Sequence, residues 1–249
     1  MVHPRLHHAL RAAITLHPRS VLRYVLRVFR AKWRRVVVTA ALVFGIAGVA
    51  DMALTIGNRS ARHADPWLAA VLLAATAISS LGTTFYAGLL DKLVENSILD
   101  EPDETLRHVF RTLPYGRLIL ADLLLSLVIA VGMALLVVPG IIALTLFCVV
   151  GPVINVEGRT VRAAFARSAR LVRPHFWLVF SLVSVPLFVE HQLAHALTEL
   201  GHERSLLVVF LAHGLLGIAV GAFVGLTEVV LAYGLIVDDT IRHPELEPR

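Results

Sequence analysis

The chain has 249 residues, 57% of them hydrophobic and only 16% charged, with a mean hydropathy of +0.76 and a formal net charge of +5. A water-soluble domain carries about 25% charged residues, so this composition excludes an ordinary soluble fold. It reads instead as an all-α, polytopic helical membrane protein, with no room for a sizeable soluble domain beside its apolar stretches.

A bilayer core needs roughly 20 apolar residues per crossing helix. Six stretches answer to that requirement: Val36–Ile56, Trp67–Leu90, Leu118–Val138, Gly140–Val156, Phe176–Leu197 and Leu206–Val237. The layout is a basic tail with a surface helix (1–35), a six-span transmembrane domain (36–237) and a short tail (238–249). The charged stretch before the first span runs too long for a cleavable signal peptide, and the first apolar segment is long enough to span. Of the 23 Lys and Arg residues, 20 fall on one side of this layout, and only Arg59, Arg62 and Arg204 fall on the other. By the positive-inside rule both termini are cytoplasmic. The topology thus accounts for the +5 charge, and nucleic-acid binding is not needed to explain it. The preference for Arg over Lys is that of a GC-rich bacterial genome, and the cell inner (plasma) membrane is the expected location.

Three cytoplasmic segments have the pattern of amphipathic helices lying in the membrane surface. In Ser20–Arg35, Val21, Leu22, Val25, Phe29 and Trp33 recur at helical spacing among arginines. In Asp103–Leu113, Leu106, Val109, Phe110 and Leu113 form the stripe, and Pro102, Asp103 and Glu104 suit a helix start. Thr160–Arg173 is Ala-rich, with Phe165 and Leu171 between its arginines. Arg23, Arg27, Arg107, Arg111, Arg162, Arg167 and Arg170 are the expected contacts to anionic lipid headgroups, each contributing on the order of 1 kcal/mol. Each surface helix precedes a pair of spans, and an LRxVxR pattern at Leu22–Arg27 and at Leu106–Arg111 suggests a repeated unit.

Within the spans, Gly217, Gly221 and Gly225 recur every four residues, the spacing of a close helix contact. Pro139-Gly140 predicts a very short turn between two spans. Pro152 and Pro186 predict kinks that neighbouring helices can accommodate. Ionisable residues in lipid are costly, which singles out Asp51, Asp122, His213 and Glu228. Asp51 sits near the outer end of its span and Asp122 one turn inside its own. His213 and Glu228 share the glycine face of the last span, as a structural hydrogen-bonding pair or as an intramembrane polar relay with Asp51. On the polar end of the fifth span, His191, His195 and Glu199 fall at i, i+4 and i+8, with His202 following. That face fits an exposed helix end, the wall of a polar cavity or a zinc site. It lacks the Glu of an HExxH motif. Cys148 is the only cysteine, so neither an intrachain disulfide nor a CxxC-type site is possible. No cofactor is expected.

From Val138 to Trp177 the chain reads Val138-Pro139-Gly140-Ile141-Ile142, Gly151-Pro152, Glu157-Gly158, Ala163-Ala164-Phe165-Ala166-Arg167-Ser168-Ala169-Arg170-Leu171-Val172 and His175-Phe176-Trp177. This stretch resembles the bacterial YciC-like membrane proteins and the membrane domain attached to some glycerophosphoryl diester phosphodiesterases. The resemblance implies the six-span layout, with Arg167 and Ser168 on an interfacial helix and Trp177 at the headgroups. It implies no enzyme, because the activity of those fusions belongs to a separate catalytic barrel. The leading expectation is therefore a non-catalytic integral membrane protein that organises or modulates membrane partners or lipids through its basic face. A transporter or permease-like protein, using polar groups in spans 1, 5 and 6, is the alternative. A membrane-embedded zinc enzyme at His191, His195, Glu199 and His202 is a third reading. A cavity reached by Glu228 or His213 favours the transporter, whereas a solid glycine-packed bundle favours the first reading.

Overall fold

The computed structural model describes residues 16–60, 66–200 and 206–242, and every element among them is helical. In a chain this apolar each backbone N–H and C=O has to be satisfied within its own segment, which a helix does and an open strand does not. In chain order the helices are α1 (Pro18–Ser60), α2 (Pro66–Leu99), α3 (Leu106–Thr112), α4 (Tyr115–Leu135), α5 (Val137–Phe147), α6 (Val150–Glu157) and α7 (Val161–Val172). A 3₁₀ turn at Arg173–His175 leads into α8 (Phe176–Val179), a π-helical stretch (Phe180–Ser184), α9 (Val185–Leu200) and α10 (Leu206–Arg242). Among the described residues, four stretches are long and apolar enough to cross a membrane: Tyr115–Leu135, Val137–Glu157, Val161–Leu197 and Leu211–Arg242. They match the last four expected spans, while the first two expected spans lie within α1 and α2.

The centre of the bundle is α10, which packs against α1, α2, α6, α7 and α9. Its glycine repeat is the reason it can. A Cβ on Gly221 would meet the Phe44 ring of α1 at 2.7 Å, and one on Gly225 would meet Leu90 Cδ1 of α2 at 2.6 Å. Beyond them Leu226, Val230, Leu231 and Tyr233 are buried, as are Leu89, Leu90 and Leu93 facing them from α2. By contrast α4 lies at the edge of the bundle and shows Leu123, Leu127, Val131 and Leu135 to its surroundings. Such a row would be an aggregation hazard in water and suits contact with lipid.

Three local features differ from expectation. The tight turn falls at Leu136, which is extended (φ −163°, ψ 143°), and not at Pro139-Gly140. Pro139 therefore sits in the first turn of α5, where its missing N–H costs nothing. Pro152 likewise falls in the first turn of α6, after a break at Val149. Pro186 follows the π-helical stretch, whose wider turn absorbs the lost hydrogen bond without a break in the helix.

The first expected surface helix is the front of α1, and it ends where Lys32 leaves helical geometry (φ −124°, ψ 18°). Most of its apolar stripe is turned into the protein, with Val21 and Val25 buried and Leu22 and Phe29 half-buried, and only Trp33 of the stripe is exposed. In α7, Ala164, Ser168, Leu171 and Val172 are buried in the same way. The short α3 keeps Leu106 and Phe110 outside with Val109 buried, and the front of α1 likewise exposes Leu26 and Trp33.

In the hairpin of α4 and α5 backbone meets backbone, because a Cβ on Gly132 would fall 2.8 Å from both the N and Cα of Gly140. Backbone cannot yield there as a flexible side chain can. Gly132→Ala should destabilise the protein by about 1–3 kcal/mol, read as a lower thermal-unfolding midpoint in detergent. Gly151→Ala, where a Cβ meets nothing within 4 Å, should leave that midpoint nearly unchanged.

Candidate functional site

Polar residues drawn from several helices gather at one end of the bundle, in two arrangements. The first is a set of ion pairs that ties the connecting segments together. Lys32 and Arg35 of α1 both reach Asp103, Arg35 at 3.2 Å, and the Arg35 guanidinium also donates to the Glu104 carbonyl. Arg117 donates to the Gly158 carbonyl at 3.2 Å. His175 Nε2 lies 3.0 Å from Asp238 Oδ2, and Arg242 reaches the same oxygen at 2.8 Å.

Arg167 joins three segments at once. Its Nε donates to Glu157 Oε1 at 3.1 Å and its Nη1 to Asp239, so α6, α7 and the end of α10 share one guanidinium. The side chain is 11% exposed. Arg167 is thus turned into the protein, away from any headgroup, whereas Arg162 and Arg170 on the same helix are exposed. Arg23, Arg27, Arg107 and Arg111 are exposed as well.

The second arrangement is a cavity of about 280 Å³ between α2, α4, α6 and α10. From α2 it receives Thr83, Thr84, Ala87 and Asp91; from α4, Leu118, Ala121, Asp122 and Leu125. Leu144, Cys148, Pro152 and Asn155 close it from the α5–α6 side, and Gly225, Glu228 and Val229 from α10. Three carboxylates thus face one space whose lining, among the described residues, includes no Lys, Arg or His. Helix periodicity delivers them. Thr84, Ala87 and Asp91 follow one face of α2, and Leu118, Asp122 and Leu125 one face of α4.

Asp91 is 4% exposed, and its Oδ2 accepts a hydrogen bond from Asn155 Nδ2. Asp91 Oδ1 and Asn155 Oδ1 are both buried without a hydrogen-bond donor among the described residues. Asp122 is exposed at the rim, and Glu228 is half-buried in the wall. In the lining, Thr83 Oγ1 donates to the Ser80 carbonyl at 3.1 Å, and outside it Thr145 Oγ1 and Ser184 Oγ share a buried hydrogen bond of 2.7 Å that joins α5 to the π-helical stretch.

Of the residues singled out in the sequence, Glu228 and Asp122 belong to this cavity. His213 does not. Its Nε2 pairs with the Ala194 carbonyl at 2.9 Å and fastens α10 to α9. Glu228 follows 15 residues later, roughly 22 Å along the helix axis, so His213 and Glu228 form no relay. The side chain of Asp51 lies outside the described residues. His191 and His195 are exposed on α9, the Glu199 side chain and His202 lie outside the described residues, and no described trio of His, Cys, Asp or Glu is placed to hold a metal ion.

Asp91 and Asn155 escaped the sequence reading, since each sits at the end of an apolar run where a polar residue is unremarkable. No spacing within one helix signals that two such ends will meet. The ion pairs could have been foreseen in part from Asp238-Asp239 at the end of the last span.

Removing Arg167 would strip Asp239 of its cation and leave Glu157 with Arg159 alone. Arg167→Ala should therefore cost about 3 kcal/mol, and thermal unfolding of purified protein checks it. Arg170→Ala, an exposed neighbour, should stay within about 0.5 kcal/mol of the parent. Comparison of the chain with known protein families, with curated proteins and with solved structures gives no match in any of the three.

Proposed function

We propose that this chain is a six-span membrane protein of the permease type, with both termini cytoplasmic in a bacterial plasma membrane. It admits a solute into the acidic cavity between α2, α4, α6 and α10. The observation that carries this reading is the cavity itself: three carboxylates on three helices line a space that α10, glycine-packed elsewhere, leaves open at Glu228. Intramembrane acids are retained where they serve a substrate or ion path. The reading includes no catalytic step and no resident cofactor. Kinship with the YciC-like proteins is part of the same proposal and rests on the residue pattern from Val138 to Trp177.

The exposed arginines favour a second, compatible role. Arg23, Arg27, Arg107, Arg111, Arg162 and Arg170 are free of ion pairs among the described residues and stand at the end where Lys32, Asp103, Arg167 and Asp239 meet. A face of this kind holds anionic headgroups, or the acidic surface of a membrane partner, while the bundle works below it.

Cys148 makes the permease reading testable, since it is the only thiol and lines the cavity at 8% exposure. In the folded protein in lipid nanodiscs, N-ethylmaleimide should alkylate Cys148 without denaturant. Leu125→Trp, which fills the cavity, should slow that reaction roughly tenfold, given that reactivity follows access. A thiol that reacts only after unfolding would count decisively against solute entry. The topology has its own check. With Cys148→Ser as background, Ser20→Cys and Ser60→Cys should be labelled by an impermeant maleimide from opposite faces of the membrane.

A further inference from the structure

We infer that the cavity binds a small amphiphilic organic ammonium ion, with its charged head on Asp91 Oδ1 and Asn155 Oδ1 and its apolar body against Leu118, Leu125 and Val229. This deepens the permease reading of the same cavity and rests on it.

Two atoms set the requirement. Asn155 spends its amide N–H on Asp91 Oδ2, which leaves its own Oδ1 and Asp91 Oδ1 buried and without donors among the described residues. Turning the amide over does not help, because it would set an oxygen against the carboxylate. Both orphans are acceptors, so their complement is a donor with more than one N–H or O–H. A buried polar group left in that state costs roughly 1–3 kcal/mol, more when it is charged, and native structures rarely leave one unmatched.

Charge narrows the choice. A bridging water would satisfy both oxygens but would leave Asp91, Asp122 and Glu228 with no positive group in the lining. The nearest cation in sequence, Lys92, is engaged with Glu95 at 2.7 Å. A compact metal ion needs several donors converging on one point, and no described trio of His, Cys, Asp or Glu does so. An ammonium group needs less: three N–H donors on one nitrogen can serve a carboxylate oxygen and an amide oxygen at once.

Shape supplies the rest. At about 280 Å³ the space is larger than a headgroup requires, and leucine and valine form much of its wall. Sites for small organic molecules have this composition, mostly apolar with a few placed polar groups. Asp122, exposed at the rim, gives an approaching cation its first contact.

Hexylammonium and hexanol separate charge from shape, since they share a chain and differ in the head. With full-length protein in phosphatidylcholine nanodiscs, hexylammonium should slow the alkylation of Cys148 by N-ethylmaleimide, and hexanol at equal concentration should not. Calorimetric titration should show hexylammonium binding that weakens at least about tenfold in Asp91→Asn. Asp91→Asn should keep the alkylation and lose the protection. Should that variant fail to fold, Glu228→Gln carries the same test, with weaker protection expected.

Equal protection by hexanol, or no calorimetric binding of hexylammonium, would overturn the inference and leave a proton as the neutralising group. Unchanged affinity in whichever variant folds would overturn it too. If Cys148 reacts freely but hexylammonium gives no protection, the cation site falls and the permease reading stands. If Cys148 is inert, the permease reading falls, and calorimetry alone decides whether the cation binds.

Discussion

A peptide group in hydrocarbon has no water to bond, and a polar side chain there has only the partners that the fold provides. In this molecule the backbone meets that constraint by remaining helical even where the sequence disturbs it. The 3₁₀ turn at Arg173–His175, the π-helical stretch at Phe180–Ser184 and the single extended residue at Leu136 are the smallest departures that still bring the helices round. Side chains meet it by pairing. Thr145 takes Ser184, Ser168 takes the Leu146 carbonyl, His213 takes the Ala194 carbonyl, and Arg167 takes two carboxylates. Five buried polar atoms among the described residues lack a hydrogen-bond partner, and of these only the oxygens of Asp91 and Asn155 belong to residues lining the cavity.

Much of the architecture is legible in the residues because hydrocarbon imposes so regular a demand. Runs of apolar residues long enough to cross become the long helices, and the glycines of α10 become the contacts with Phe44 and Leu90. What misleads is amphipathicity. A stripe such as Val21, Val25 and Val28 says that one face of a helix is apolar, but not whether lipid or protein will cover it. Here protein covers it, and the same holds for α7. Arg167 shows the reverse error: read as one more arginine for headgroups, it is the residue that three segments share.

The candidate site was legible only in its deepest member. Glu228 stands in the middle of an apolar run, so its cost is visible in the sequence. Asp91 and Asn155 fall where helices reach polar surroundings, so their cost is hidden. Whether such residues face outward or toward each other depends on how the helices rotate about their axes, and that is set by contacts such as Gly132 on Gly140. The histidines of α9 show the opposite case, since a suggestive i, i+4 spacing ends with both side chains exposed. Spacing along one helix is a weak guide where sites are built between helices.

The ion pairs also separate two quantities that share a name. A nascent chain inserts before its helices have packed, so every arginine counts toward its orientation, including Arg167, Lys32 and Arg35. Once folded, Arg167 is matched at close range by Glu157 and Asp239, and Lys32 and Arg35 share Asp103. The finished protein therefore presents a weaker electrostatic field at this end than its arginine count implies. On the headgroup-binding role proposed above, the ionic-strength dependence should follow the unpaired guanidiniums.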